Sequence, residues 1–351
     1  MPILRYTILA VVYVFLAIDL KAQAYAHRFE QLDFPSTNLS TPSCIAQDSM
    51  GFIWIGSTSG LYRLDGYELK HWHNEPDQVN TLPNNYVRQI FIDKDDNVWL
   101  MHQPGGLTIY HAAQDTFIPV SIVSPNGYEL SDIHEIIQDQ AGQYWIAGKY
   151  GLSIIAEVDL SRGQLEADFF NKWSNGSDLG EIRDILIDET GKLWLGGSQG
   201  VGYYESSSKE MHELSLPTDA SSQSCQTIFQ SLDNDLIAIY DHQSHPWRLN
   251  MQTQAWRPVL ELSLYASDIY DAVSDMQGNW WITEAGFGLH RYNPMSLEHE
   301  FFSTRDENSL AVKGDYIHSP YIDREGNLWL AGAFNLQMLR KTHKDIQNYE
   351  L

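Results

Sequence analysis

The sequence predicts an all-β chain: a seven-bladed β-propeller of four-stranded antiparallel blades behind a cleaved N-terminal signal peptide. Three observations carry that expectation. First, one unit recurs along the chain: an apolar residue, two others, an apolar residue, then Asp-x-x-Gly-x-x-Trp and a second Gly six or seven residues on. A period of about 46 residues with such content is the mark of stacked blades. Second, aromatic residues reach 12%, with 11 Trp and 19 Tyr, which favours sheets over a helical protein. Third, the apolar residues are spaced as in strands, rich in β-branched and aromatic types and broken by Gly turns, so helical repeats fail. A right-handed β-helix fails as well, because its rungs are much shorter than this period.

The first 26 residues read as an address rather than structure. Arg5 supplies a positive start, residues 6–18 form a 13-residue apolar run, and Ala22-Gln23-Ala24 offers a small-x-small cleavage site. A membrane span needs roughly 20 apolar residues, and Asp19 closes the run before that. The expected location is therefore the periplasm or the extracellular space.

The mature chain, 27–351, divides into repeats centred on Trp54, Trp99, Trp145, Trp194, Ile237, Trp281 and Trp329, spaced 45, 46, 49, 43, 44 and 48 residues apart. The turns are Asp48-Ser-Met-Gly51, Asp93-Lys-Asp-Asp96, Asp139-Gln-Ala-Gly142, Asp188-Glu-Thr-Gly191, Asp275-Met-Gln-Gly278 and Asp323-Arg-Glu-Gly326. Between Trp194 and Trp281 lie 87 residues, room for one degenerate unit with Ser231 in the Asp slot and Ile237 in the Trp slot. Within a unit, an inner strand such as 87–93 leads into the Asp turn. There Gly tolerates positive φ and Asp can bond the turn's own amides. The Trp strand follows (52–56, 193–196), then strands such as 60–64 and 67–72. Trp at one place in six of seven units suits a large ring packed between neighbouring blades, since one blade cannot bury both of its faces alone. Residues 28–34 are expected to complete the last blade as a clasp, with 345–351 as the alternative.

Charge and cysteine content exclude several functions. Lys and Arg number 22 against 46 Asp and Glu, a net charge of −24, which repels nucleic acid and anionic membranes. Two cysteines 181 residues apart exclude a disulfide framework and a Cys-rich zinc site. Cys44 and Cys225 fall on inner strands of the first and fifth blades and are expected to be free buried thiols. No cofactor or metal is expected. Gly196-Gly-Ser198-Gln-Gly200 matches a nucleophile elbow but aligns with an ordinary blade hairpin, Gly56-Ser-Thr-Ser-Gly60. Asp93-Lys-Asp95-Asp-Asn97 starts like a calcium loop, yet Val98 and Pro104 stand where Gly and Glu are needed. His71-Trp-His73 reads as strand surface.

The pattern Ile-x-x-Asp-x-x-Gly-x-x-Trp-Ile/Leu-Gly with a following Gly-Leu resembles the two-component regulator propeller repeat. Cys44-Ile-Ala-Gln-Asp48-Ser-Met-Gly51-Phe-Ile-Trp54-Ile-Gly56 with Gly60-Leu-Tyr-Arg-Leu-Asp65-Gly66 is an especially close match, and the resemblance runs over about 29–341. That repeat builds the periplasmic sensor half of hybrid two-component histidine kinases in Bacteroidetes-type bacteria. The resemblance implies a non-catalytic ligand-sensing ectodomain, in that family often for glycans and their breakdown products. It implies a kinase module too, as a C-terminal continuation or a separate chain, since no histidine-kinase motif occurs here. A homodimer is an open alternative.

With the repeat as a ruler, the position five residues before each repeat Asp should line the mouth of the axial channel, where equivalent positions converge. That column reads Ser43, Arg88, His134, Arg183, Gln226, Tyr270 and His318. The next column reads Cys44, Gln89, Glu135, Asp184, Thr227, Asp271 and Ser319. The expected site is a polar, partly cationic well holding a carboxylated or sulfated sugar through Arg forks, with Tyr270 stacking on a ring. The plainer reading pairs the arginines with Glu135 or Asp184. Hairpin loops are expected to add His102, Tyr150, Gln199, His242 and Phe287. Two other functions compete: a secreted glycosidase or lyase, for which Glu135 and Asp184 are the only adjacent-blade carboxylates, and a protein-interaction scaffold. Expressed in a secreting bacterium, the chain is expected to lose its leader and begin within residues 25–27, read by intact mass; retention of Met1 contradicts the export reading.

Overall fold

Each blade begins with the same local event. The inner strand runs into a turn where the amide of the fourth residue donates back to the carbonyl of the first, as in Gly51 to Asp48 at 3.1 Å and Gly191 to Asp188 at 2.9 Å. That fourth residue takes a left-handed φ, from 80° at Gly278 to 94° at Gly51; Asp96 and Asn234 stand there without glycine, both at 60°. Asp and Asn tolerate this region better than other side-chain-bearing residues.

The Asp carboxylate then holds both sides of the turn. Its Oδ1 accepts the amide four residues on: Phe52, Asn97, Gln143, Lys192, Asn279 and Asn327 donate over 2.7–3.0 Å. Its Oδ2 accepts the indole N–H six residues on, from Trp54, Trp99, Trp145, Trp194, Trp281 and Trp329, over 2.7–3.1 Å. A buried indole needs such an acceptor, and a carboxylate tucked into a turn needs such donors. The structural role read for Asp48, Asp139, Asp188, Asp275 and Asp323 has this form.

In this computed structural model the described residues are 29–341, apart from 33–38, 67, 79, 125–126, 128, 131, 216–221, 266–267, 304–311, 313, 315 and 333–334. The expected signal peptide and the alternative clasp at 345–351 lie outside them. Seven antiparallel sheets follow in chain order. Their inner strands are Pro42–Gln47, Val87–Ile92, Ile133–Gln138, Ile182–Ile187, Cys225–Gln230, Ile269–Ser274 and Ile317–Ile322. Each inner strand adjoins the next, and the seventh adjoins the first, so the ring closes. Phe29–Gln31 supplies the outer strand of blade 7 by pairing antiparallel with Asn335–Leu339, which makes the N-terminal segment the clasp.

The core is divided among the seven interfaces between blades, one cluster at each. The Trp rings pack as expected: Trp99 meets Tyr144 of the next blade at 4.8 Å, and Trp145 meets Tyr204 at 4.8 Å. Blade 5, with Ser231 in the Asp slot and Ile237 in the Trp slot, uses a substitute. Ser231 Oγ accepts the Asp235 amide at 3.3 Å, and Arg248, cross-strand partner of Ile237, binds Asp235 at 2.6 Å and also Asp233. Blade 2 departs from four strands. Its long outer strand, Thr116–Val123, also pairs with Glu129–Leu130 and, in parallel, with Gln164–Glu166.

Trp194→Phe, which takes one donor from Asp188, is expected to cost about 1–3 kcal/mol of unfolding free energy. Asp188→Ala, which frees the Trp194 indole and two backbone amides, is expected to cost more, about 2–4 kcal/mol. Denaturant titration reads both, and two losses under about 0.5 kcal/mol contradict the clamp.

Candidate functional site

The inner strand of every blade carries an irregularity at one place. Pairing with the Trp strand skips one residue between Pro42 and Cys44, Val87 and Gln89, Ile133 and Glu135, and Ile182 and Asp184. It does so again between Cys225 and Thr227, Ile269 and Asp271, and Ile317 and Ser319. The skipped residues are Ser43, Arg88, His134, Arg183, Gln226, Tyr270 and His318, the whole predicted column. Each is the extra residue of a β-bulge, a feature that re-aims side chains and recurs beside functional sites. In a regular strand two successive side chains point to opposite faces. Here the bulge lets both columns face one axial cavity of about 420 Å³.

That cavity brings together Arg88, His134, Arg183, Gln226, Tyr270 and His318, along with Ser43, Gln89, Glu135, Asp184, Thr227, Asp271 and Ser319. Cys44 alone of the second column turns away, into the core between blades 1 and 2. Cys44 and Cys225 are free and buried, and burial pushes the Cys44 thiol up to about 12 and Cys225 further.

The polar partners are specific. Arg183 donates from Nη1 to Ser224 Oγ at 2.9 Å and Asp241 Oδ2 at 3.4 Å, and from Nε to Glu181 Oε2 at 3.3 Å. Gln226 donates to the other oxygen of Asp241. Arg88 donates to the Ile133 carbonyl and faces His134 Nδ1 at 3.4 Å; among the described residues it makes no ion pair. His134 Nε2 stands 3.0 Å from Glu181 Oε1. Pairing of the arginines with Glu135 or Asp184 is therefore corrected: their contacts are Glu181, Asp241 and a carbonyl. Tyr270 is exposed and meets the His318 ring edge-on, centroids 4.9 Å apart.

Burial, aided by Arg88, holds His134 below the usual imidazole range, and burial does the same to His318. At neutral pH the positive charge of the well thus comes from Arg88 and Arg183. Below them lie three carboxyls. Glu135 and Asp184 lie side by side on neighbouring inner strands. Glu135 Oε2 accepts the Ile185 amide at 2.7 Å, and Asp184 Oδ2 accepts Thr227 Oγ1 at 2.6 Å and the Ile228 amide at 2.8 Å. Asp271 accepts the Ala272 amide at 2.8 Å and Ser319 Oγ at 3.3 Å. Burial and then the Asp184 charge raise Glu135 well above its ordinary value, and burial raises Asp184. Burial and the charge of Asp184 push Asp271 up to about 7.

Sequence reasoning missed Glu181 and Tyr86, both on the cavity wall. They stand two residues before Arg183 and Arg88, so the same ruler moved by two positions finds them. Of the hairpin residues, His102 lines an adjoining cavity of about 260 Å³ that shares Arg88, His134 and Glu181. Tyr150, Gln199, His242 and Phe287 do not line the well. Tyr150 packs near Lys149, Gln199 accepts from Gln223 at 3.0 Å, and Phe287 stacks on Tyr265 at 4.6 Å. Among the described residues no group of three or more His, Cys, Asp or Glu is placed to hold a metal ion.

Fold and site together define a seven-bladed propeller with a bulge-lined axial well. Within it, residues 81–101 match the family model described as two component regulator propeller. One copy of the two-component regulator propeller repeat thus lies at 81–101. Histidine kinase P4 of Formosa agariphila is 35% identical over 74 residues, 20% of this chain and 5% of that protein. The extracellular domains of two putative hybrid two component systems from B. thetaiotaomicron superpose with TM-scores of 0.72 and 0.73 at 17% and 18% identity. Each likeness covers 90% of this chain but only 42% and 40% of those domains. Virginiamycin B lyase from Staphylococcus aureus superposes with a TM-score of 0.68 at 14% identity, over 90% of this chain and all of that one. At such identities these structures speak to the fold alone.

Asp271 keeps its proton to about pH 7 when folded but loses it near 3.8 when unfolded, so it lowers stability as pH rises between those values. Asp271→Asn is accordingly expected to gain about 2 kcal/mol over wild type at pH 8, after allowance for water in the well, and little at pH 4. Thermal unfolding at both pH values reads the difference, and an equal effect at both contradicts the raised carboxyl.

Proposed function

We propose that this propeller is an exported, non-catalytic sensing module whose axial well binds an anionic oligosaccharide or a breakdown product of one. The signal passes to a histidine kinase module, in the same reading frame or on a separate chain, and a homodimer fits that role. The observation that carries the reading is the convergence of seven bulged residues on one well with two guanidiniums, one of them without an ion-pair partner among the described residues. An unpaired, half-buried arginine favours a ligand that brings a carboxylate or sulfate. Tyr270 and the edge of His318 offer an apolar face for a sugar ring beside it. The repeat, and the likeness of fold to extracellular domains of hybrid two component systems, support the sensing role.

A glycosidase is the weaker reading. Retaining and inverting enzymes hold their carboxyls about 5–5.5 or 6.5–9.5 Å apart. Glu135 and Asp184 are instead set side by side and taken up by the Ile185 and Ile228 amides and the Thr227 hydroxyl. The lyase among the structural neighbours keeps a lyase reading as an outcome to be tested.

Among uronic, sulfated and neutral oligosaccharides, the anionic ones are expected to raise the melting temperature, with about 2.7 kcal/mol of stabilisation at a hundredfold excess over Kd. Arg88→Gln with Arg183→Gln is expected to abolish that shift and leave the unliganded protein folded. A shift from neutral sugars only, or release of reducing or unsaturated sugar, contradicts the reading.

A further inference from the structure

The floor of the well is built from groups the proposed ligand contact leaves unused. Glu135, Asp184 and Asp271 come from blades 3, 4 and 6 and line the well, and Glu135 and Asp271 also line a second cavity of about 310 Å³ beyond it. Two guanidiniums therefore face five carboxyls: these three, Glu181 and Asp241. Were all five ionised, the well would repel the anion its arginines suit. Geometry supplies the remedy. Glu135 Oε2 accepts the amide of Ile185, the residue after Asp184, so the two carboxyls lie side by side in one cavity, and a single proton between them relieves their repulsion. Ile185, Thr227 and Ile228 donate to this pair and hold it in place.

We propose that this floor is a proton-linked element of ligand selection: Glu135 and Asp184 share one proton, and an anionic ligand enters together with a second proton taken by Asp271. The inference rests on the anionic-ligand reading above and adds its regulation. The second proton moves from solvent to the Asp271 carboxylate, and no covalent bond changes. Once protonated, Asp271 is a neutral O–H donor below the ligand, suited to its hydroxyl and ether oxygens; the proton between Glu135 and Asp184 stays within that pair, and the arginines are left to the acid group. Asp271 is the member placed to titrate near neutrality, between the charge of Asp184 and a donor from Ser319. The other titratable groups around the well are His134 and His318, both held low by burial, Tyr86, Tyr270, and the buried thiols Cys44 and Cys225. A histidine that gains its proton at lower pH also favours an anion, so the assignment to Asp271 needs its own variant.

The test is calorimetry on the full chain with trigalacturonate, sulfate and, as neutral control, maltotriose, at pH 6 and 8 in two buffers of different ionisation enthalpy. Wild type is expected to bind trigalacturonate with proton uptake at pH 8, its affinity falling by up to about tenfold per pH unit above neutrality. Asp271→Asn is expected to bind at pH 8 about as tightly as wild type at pH 6, without uptake. If that variant fails to fold, Asp271→Ser and the buffer dependence of the wild-type heat decide. Binding with equal affinity at both pH values and no proton uptake overturns this inference alone, as does an unchanged slope in the Asp271 variant. Binding of neither anion at either pH overturns the anionic-ligand reading and this inference with it.

Discussion

The bond from an indole N–H to a turn carboxylate is what the rest of the structure depends on. It joins two requirements the sequence imposes together. A hairpin must reverse tightly after each inner strand, and a tryptophan must be buried between blades without leaving its N–H unsatisfied. One carboxylate answers both, with one oxygen on the turn amide and the other on the indole, at nearly the same distances in six blades. Each inner strand is thereby held at one height relative to its neighbours. A bulge at a constant offset from the Asp then recurs at one level around the ring, and the seven bulged residues meet.

That arrangement separates what holds the ring from what lines it. The Asp turns and Trp rings are near-identical in six blades, while the bulged residues run from Ser43 to Tyr270 without a rule. The fifth blade shows how far the holding chemistry can drift: an ion pair of Arg248 with Asp233 and Asp235 replaces indole and carboxylate, and Ile237 remains fully buried. The separation also lets the well carry opposed charges. Arginines at the bulges and carboxyls one residue further along come from the same strands, so their balance is set by protonation as well as by sequence.

The repeat made most of the fold legible before any coordinates. Turn residues, Trp slots, the degenerate fifth unit and the N-terminal clasp were all readable, because each is a local pattern copied at a fixed period. The bulge was not, since nothing in Arg88-Gln89 or His134-Glu135 distinguishes a skipped pairing from a regular strand. Its effect, two successive residues facing one cavity, explains why both polar columns line the well. The partners of the arginines were misjudged for a related reason. Neighbours on the strand suggested Glu135 and Asp184, but the strand entrance brings Glu181 and the next hairpin brings Asp241. Most of the hairpin residues assigned to the mouth lie elsewhere: Gln199 is taken up by Gln223, and Phe287 stacks on Tyr265. The addition of Gln164–Glu166 to blade 2 had no signal in the repeat, since it lies in the variable stretch between third and outer strands.

The chain is therefore read as a rigid ring that presents seven side chains of five types to one central ligand. A crystal structure of the protein soaked with an acidic oligosaccharide tests this most directly. The account predicts ligand density on the axis, its acid group against Arg88 and Arg183 and a ring against Tyr270, with contacts from at least three blades. Density confined to one blade, or seated in the outer cleft between blades 3 and 4 beside Trp145 and Tyr204, would contradict it.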